Sequence, residues 1–283
     1  MSAEGTLQKA DLGAIYDQPD PRAYFLTLQP LDYEIPQHGA DLFARLLDER
    51  DTAGAGQSRV LDVCCSYGVV GTLMKTTLDL TAVNNHYRTA ADHELTAEQM
   101  VDADRLLLKE NRAPDPATVI GLDVAPNAIA YALATGALAD GVAENLETDE
   151  PTAELERLVS EVDLITTTGG VGYVTERTFA RLLDMAPADA WVAAFCLRTY
   201  DYQPIIDTLD MHGLETERLP GTFPQRRFIG PDEEAWAVAE VRKHGFDPTG
   251  KETDGYYHAE FYLSRPPSEV VRRPLAELLP DHH

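Results

Sequence analysis

A doubly wound α/β sheet, mostly parallel and closed on one side by an antiparallel edge strand, is the fold class that the sequence predicts. Three observations predict it. Apolar strand segments alternate with amphipathic helical ones from residue 58 onward. The first of those strands, Val60, Leu61 and Val63 with Asp62 among them, runs into a tight turn and then a helix. Two further strand candidates come late and at less regular spacing, as an antiparallel edge would.

The elements follow in order. Residues 1–40 are an irregular lead, where Tyr16, Tyr24, Phe25 and Tyr33 mix with Pro19, Pro21, Pro30 and Pro36, a proline density that excludes a long helix. A helix is predicted over 39–50, with Leu42, Phe43, Leu46 and Leu47 on one face, and a loop over 51–58. After the first strand and its turn comes a helix over 69–78. The interval 79–117 holds one well-signalled helix, residues 95–111, opened by a Thr96/Gln99 capping box and a Leu95/Met100 staple. A second strand of Val119, Ile120 and Leu122, ending at Asp123, is followed by a helix over 128–135 that stops at Gly136. Further strands are expected around 141–146, 162–168 and 191–197, within 214–228, and over 256–264. Helices at 175–185, 204–212 and 232–244 separate most of them. The lead 1–57 reads as a substrate lid on an α/β domain, 58–283, which carries a second lid segment inserted at 79–117.

Composition narrows the function. The 283 residues are 44% hydrophobic and 25% charged, ordinary for a globular chain of one large domain or two small ones. With 48 acids against 23 bases the net charge is −25, which repels nucleic-acid phosphates and anionic membranes. No run approaches 18 apolar residues and the first twenty lack a signal-peptide core, so a cytoplasmic protein is expected. Cys64 and Cys65 are adjacent and Cys196 is isolated, a spacing that forms neither a disulfide framework nor a metal site. The pattern leaves oligomeric state open.

In an open parallel sheet, ligands bind beyond the carboxyl ends of the strands. The turn after Val63 and the acid that ends the second strand, Asp123, are therefore the first candidates. Here "VLDVCCSYGVVG" resembles the first motif of the class I S-adenosylmethionine-dependent methyltransferases, a strand ending in V-L-D-x-G-C-G-x-G. Asp62 matches that family's acid, Cys65 its frequent cysteine and Gly68 its third glycine, while Cys64 and Ser66 replace the first two. "VIGLDVAPNAIAYA" resembles the second motif, which makes Asp123 the ribose-binding acid and Val124 a neighbour of the adenine. "GVAENLE" resembles the next segment, whose polar side chain contacts adenine, here Glu144 or Asn145. "VDLITTTGGVGYV" resembles the fourth motif, whose strand end, Thr167 to Gly170, faces the transferred methyl group. The resemblance spans about residues 58–200, and it implies S-adenosylmethionine as donor and a small-molecule acceptor.

The two substitutions in the turn discriminate between ligands. A dinucleotide pyrophosphate needs close approach to bare backbone at a helix N-terminus, so glycines are nearly obligatory. The methionine portion of S-adenosylmethionine carries no phosphate and tolerates a small Cys or Ser. Cys64 and Cys65 are read as wall residues rather than nucleophiles.

Asp62 and Asp123 are 61 residues apart, whereas a dinucleotide-binding unit places its acid about 20 residues after the glycines. The extra stretch, 79–117, is where a lid or substrate wall belongs. It contains "VNNHYR", whose His86 is a candidate general base, or an orienting group beside Arg88; a solvated turn is the competing reading. His38 competes for the same role. Tyr33 and Tyr173 complete the acceptor-side candidates, against simple packing. An aromatic wall from the lead suits a cationic or apolar acceptor. Methyl transfer from a sulfonium needs alignment and desolvation more than covalent help, so the lack of a triad or metal cluster in the sequence is no objection. Two other readings stand: a catalytically degenerate binding protein of the same fold, and an NAD-dependent reductase.

Overall fold

The computed structural model describes residues 12–51 and 58–279. The sheet has eight strands: β1 (Arg59–Val63), β2 (Thr118–Asp123), β3 (Asp140–Ala143), β4 (Leu164–Thr168), β5 (Trp191–Leu197), β6 (Glu215–Arg218), β7 (Phe223–Arg227) and β8 (Tyr256–Arg265). Their order is β3-β2-β1-β4-β5-β8-β6, with β7 also on β8. Strands β1 to β5 pair in parallel, and β8 runs antiparallel to β5. The segment 214–228 is two short strands, not one. Both pair antiparallel to β8, β6 along its second half and β7 along its first, with a register shift at Pro224/Arg226.

The parallel strands are apolar and buried on both faces because helices cover both sides. One core holds Phe43, Leu46, Phe195, Phe261 and Leu263 beneath the helix Ile35–Asp51. The other packs Leu61, Ile165, Leu158, Phe179 and Leu209 under the helices of the chain's later half. The helix Ile35–Asp51 starts four residues before the expected position, because Pro36 lies in the first turn, where a missing N–H costs nothing. Upstream, Tyr24, Phe25 and Leu28 of the short helix Arg22–Leu28 pack with Tyr67, Val69 and Tyr87.

The 79–117 interval departs most from expectation, since it holds two helices, Leu80–Ala91 and Ala97–Glu110. The first contains "VNNHYR", so that motif is not a turn. Asp79 caps this helix by accepting from the Ala82 N–H at 2.7 Å, and Leu80, Val83, Tyr87 and Ala90 form its buried stripe. The second opens on the expected capping box: the Gln99 N–H donates to the Thr96 hydroxyl at 3.2 Å and the Thr96 N–H to the Gln99 amide oxygen at 2.8 Å. Among the described residues, no helix is long and apolar enough to cross a membrane.

Candidate functional site

β1 is central, with β2 on one side and β4 on the other, so the strand order reverses there and the carboxyl ends of these three strands diverge around a crevice. A cavity of about 420 Å³ opens at this point, within the usual size range of small-molecule pockets. Asp62, Cys64, Cys65 and Ser66 from the first strand and turn line it, with Asp123, Val124 and Ala125 from the second. Thr168, Gly169, Gly170 and Tyr173 contribute the β4 side, and Gly13, Tyr16, Asp17, Tyr24, Tyr33 and Pro36 of the lead form the remaining wall. A larger hollow of about 740 Å³, lined by residues such as Met74, Arg112 and Ala117, lies at the amino ends of the strands, away from the reversal point.

The turn keeps a left-handed backbone in spite of its composition. Cys64, Ser66 and Gly68 have φ of 60°, 50° and 70°. Only the last is glycine, so the Cβ atoms of Cys64 and Ser66 oppose the geometry at about 1–2 kcal/mol each. Hydrogen bonds over-determine it. The Cys64 N–H donates to the Leu122 carbonyl at 2.8 Å, the Ser66 N–H to the Asp123 carboxylate at 2.8 Å, and the Gly68 N–H to the Cys65 carbonyl at 2.9 Å.

The paired cysteines have opposite jobs. The Cys65 sulfur fills the space left by Gly121 on β2, where an added Cβ would come within 2.7 Å of it. The Cys64 sulfur lies against Gly170, where an added Cβ would approach to 2.9 Å. Burial raises both thiols above their ordinary range, with the nearby aspartates adding to it.

The two acids differ. Asp62 is 1% exposed; its Oδ1 accepts from the Thr166 hydroxyl at 3.2 Å, and its Oδ2 has no hydrogen-bond partner. Burial pushes the Asp62 carboxyl up to about 7, against the Thr166 hydrogen bond and with help from the Asp123 charge. Asp123 Oδ1 accepts from the Ala125 N–H at 3.0 Å and Oδ2 from the Ser66 N–H. Its carboxyl is also raised by burial, which those hydrogen bonds oppose.

Several sequence candidates lie elsewhere. The His86 ring is outside the pocket: Nε2 bonds Asp104 Oδ1 at 2.7 Å, and Asp104 Oδ2 accepts from the Tyr131 hydroxyl at 2.7 Å and from the Tyr87 hydroxyl. His38 lies in the helix Ile35–Asp51 with its ring 5.3 Å from that of Phe223. Glu144 takes the Thr152 N–H at 3.2 Å at the start of the helix Ala153–Val159, and Asn145 accepts from the Glu147 N–H at 3.0 Å; neither lines the pocket. Thr167 is fully buried behind Gly170, and Gly68 faces Ala132, Ala137 and Leu138. Asp17 and Pro36 enter the pocket unforeseen. The "YDQPD" run, an acid inside the aromatic lead, was the signal for the first.

The lead is sutured across the mouth of the cavity. The Tyr67 hydroxyl accepts from the Gln18 N–H at 2.7 Å, and Asp17 accepts from the Asn127 N–H at 2.8 Å. Among the described residues, no group of three His, Cys, Asp or Glu side chains could hold a metal ion.

No family model matches the chain, and no curated protein matches it. Solved structures do resemble it. A TehB-like S-adenosylmethionine-dependent methyltransferase from Corynebacterium glutamicum is 17% identical, over 77% of this chain and 85% of its own, at a TM-score of 0.39. Magnesium protoporphyrin IX methyltransferase from Synechocystis, with bound S-adenosylmethionine, is 13% identical over 81% and 79%, at 0.41. The YcgJ protein of Bacillus subtilis is 8% identical over 79% and 98%, also at 0.41. At such identities nothing about activity passes from those proteins to this one. On its own strand order, with an acid on each of the first two strands and an antiparallel end, the chain is a Rossmann-like, mostly parallel α/β sheet covered by helices.

Proposed function

We propose that this protein transfers the methyl group of S-adenosylmethionine to a small-molecule acceptor. The observation that carries the reading is the partnerless Oδ2 of buried Asp62, which shares the switch-point pocket with the Asp123 carboxylate. A buried polar atom without a partner calls for a ligand donor, and the ammonium group of the donor's methionine portion is a matching one. Asp123 retains acceptor capacity beyond its two backbone bonds for ribose hydroxyls, and exposed Val124 offers an apolar edge for the adenine. Cys64, Cys65 and Ser66 form the floor under the methionine portion, and Thr168 to Gly170 border the methyl.

When bound, the donor supplies a sulfonium-activated methyl group. The protein's share is alignment and exclusion of water, for which the lead, with Tyr16, Tyr24 and Tyr33, serves as lid. Neither His86 nor any other histidine is needed for this. The helices of the 79–117 insertion brace that lid through the packing of Tyr87 on Phe25, whose rings stack at 4.1 Å.

The reductase reading loses ground on the turn itself. The amides of Cys64, Cys65 and Ser66 are committed to Leu122 and Asp123, leaving no run of bare N–H groups for a pyrophosphate. Against degeneracy stands the strained left-handed turn on the pocket wall, since strain of this kind concentrates at functional sites.

Calorimetry with S-adenosylmethionine, S-adenosylhomocysteine and NAD tests the proposal. Binding of both sulfur compounds is expected. Binding of NAD alone favours a reductase, and binding of none favours a degenerate protein.

A further inference from the structure

We infer that the acceptor presents an amine, held by a box of tyrosines on the lead side of a pocket whose charged lining is acidic. The inference rests on the methyl-transfer reading and concerns the other half of the same cavity.

Tyr24 is the back wall. The Tyr16 ring stands 5.6 Å from it at 77° and the Tyr33 ring 6.2 Å from it at 84°, so each of these pocket-lining rings stands nearly at right angles to Tyr24. Tyr173 closes the β4 side from an exposed position. The face of a tyrosine ring attracts a cation.

The phenols of Tyr16, Tyr33 and Tyr173 lie close enough to perturb one another, and Asp62 acts on Tyr24 and Tyr33 while Asp123 acts on Tyr16. Burial, the largest cause, holds Tyr33 protonated, up to about 12, so the phenols act as neutral hydrogen-bonding groups. Every charged side chain among the described lining residues is an acid: Asp17, Asp62 and Asp123. Arg226, whose charge acts on Tyr16 and Tyr33, is buried and committed to Glu233 through bonds of 2.7 and 3.0 Å. A carboxylate or phosphate on the acceptor would face these oxygens with no cation among the described lining residues, whereas an ammonium brings N–H donors and positive charge.

The chemistry balances. The bound ammonium first sheds a proton to bulk water. The freed lone pair on nitrogen then forms the new N–C bond as the methyl C–S bond breaks, and that bond's electron pair stays on sulfur to give S-adenosylhomocysteine.

Calorimetry on the full chain, with and without saturating S-adenosylhomocysteine, tests this with phenethylammonium, benzyltrimethylammonium and 3-phenylpropanoate, similar in size and different in charge. Both cations are expected to bind at least tenfold more tightly than the carboxylate. Tyr33→Phe should weaken phenethylammonium more than benzyltrimethylammonium, since the ring remains and only the hydrogen-bonding oxygen is lost; a melting curve verifies its fold. Carboxylate binding equal to or tighter than that of the cations overturns the inference. So does binding of S-adenosylhomocysteine with neither cation, an outcome that leaves the methyl-transfer proposal standing. Cation binding without S-adenosylhomocysteine binding supports the amine box and removes the methyl-transfer proposal.

Discussion

The backbone N–H of Ser66 donates a 2.8 Å hydrogen bond to the carboxylate of Asp123. One bond thus ties the turn after the first strand to the acid that ends the second. The proposed ribose ligand is also the clamp on a strained turn, so the two halves of the site are not independent. Asp123→Ala should lower stability by about 1–3 kcal/mol through the orphaned Ser66 and Ala125 amides, and weaken S-adenosylmethionine by a similar amount. Thermal melting and calorimetry on the same variant check both. Weakened binding at unchanged stability would mean that the clamp is not there.

Ser66 itself offers the converse change. Its φ is 50° and its buried hydroxyl has no partner, so Ser66→Gly removes a strained Cβ and a desolvated oxygen together. Stability should rise by about 1 kcal/mol after the added unfolded-chain entropy of glycine is subtracted. A lower melting temperature in this variant would contradict the left-handed assignment.

Asp62 sets a pH dependence. Its folded carboxyl titrates at about 7 because of burial, above the unfolded value near 4. The folded state therefore holds this proton more tightly than the unfolded one. The contribution of Asp62 to stability is fully present below about pH 4 and is lost as pH rises from about 4 to 7. Denaturant titrations should find Asp62→Asn gaining about 3–4 kcal/mol on the wild type between pH 4 and pH 8. Donor binding should move the other way: it strengthens up to about pH 7 as the carboxylate ionises, and in Asp62→Asn it is weak and flat.

Gly170→Ala tests the β4 rim. The added Cβ would sit 2.5 Å from the Thr167 hydroxyl oxygen and 2.9 Å from the Cys64 sulfur, both packed side chains with little room to yield. Overpacking of this kind costs about 1–3 kcal/mol and displaces the Cys64 wall. Lower melting temperature and impaired methyl transfer are expected together.

Asp104 serves stability. Buried between the insertion and the helix Pro126–Thr135, it accepts from Tyr87 and Tyr131 and pairs with His86. Asp104→Ala strands these groups and should cost about 2–4 kcal/mol. His86→Ala should melt lower as well, yet keep the methyl-transfer rate per folded molecule. A selective loss of rate would restore His86 as a base.

Much of this was legible in the chain. Alternating apolar segments gave the strands β1, β2, β4, β5 and β8, and Thr96 with Gln99 gave a helix start whose two hydrogen bonds both form. Local patterns of that kind depend only on neighbours in sequence. The helix Leu80–Ala91 was hidden because Asn84, Asn85 and His86 read as a polar loop, while its buried stripe of Leu80, Val83, Tyr87 and Ala90 has partners only in distant segments. Glu144 and Asn145 fall outside the pocket lining for a related reason: their side chains go to nearby backbone at Thr152 and Glu147, a choice that loop geometry makes.

The sequence by itself determined the sheet, its acid-tipped first two strands and the excess of negative charge, because periodicity, strand length and composition are properties of the chain. Only the tertiary structure decided that Tyr16, Tyr24 and Tyr33 share a pocket with Asp62, that His86 turns away to Asp104, and that Cys64 and Ser66 hold glycine-like angles. Those outcomes depend on burial and on hydrogen bonds between residues tens of positions apart, which take effect once the strands have brought them together.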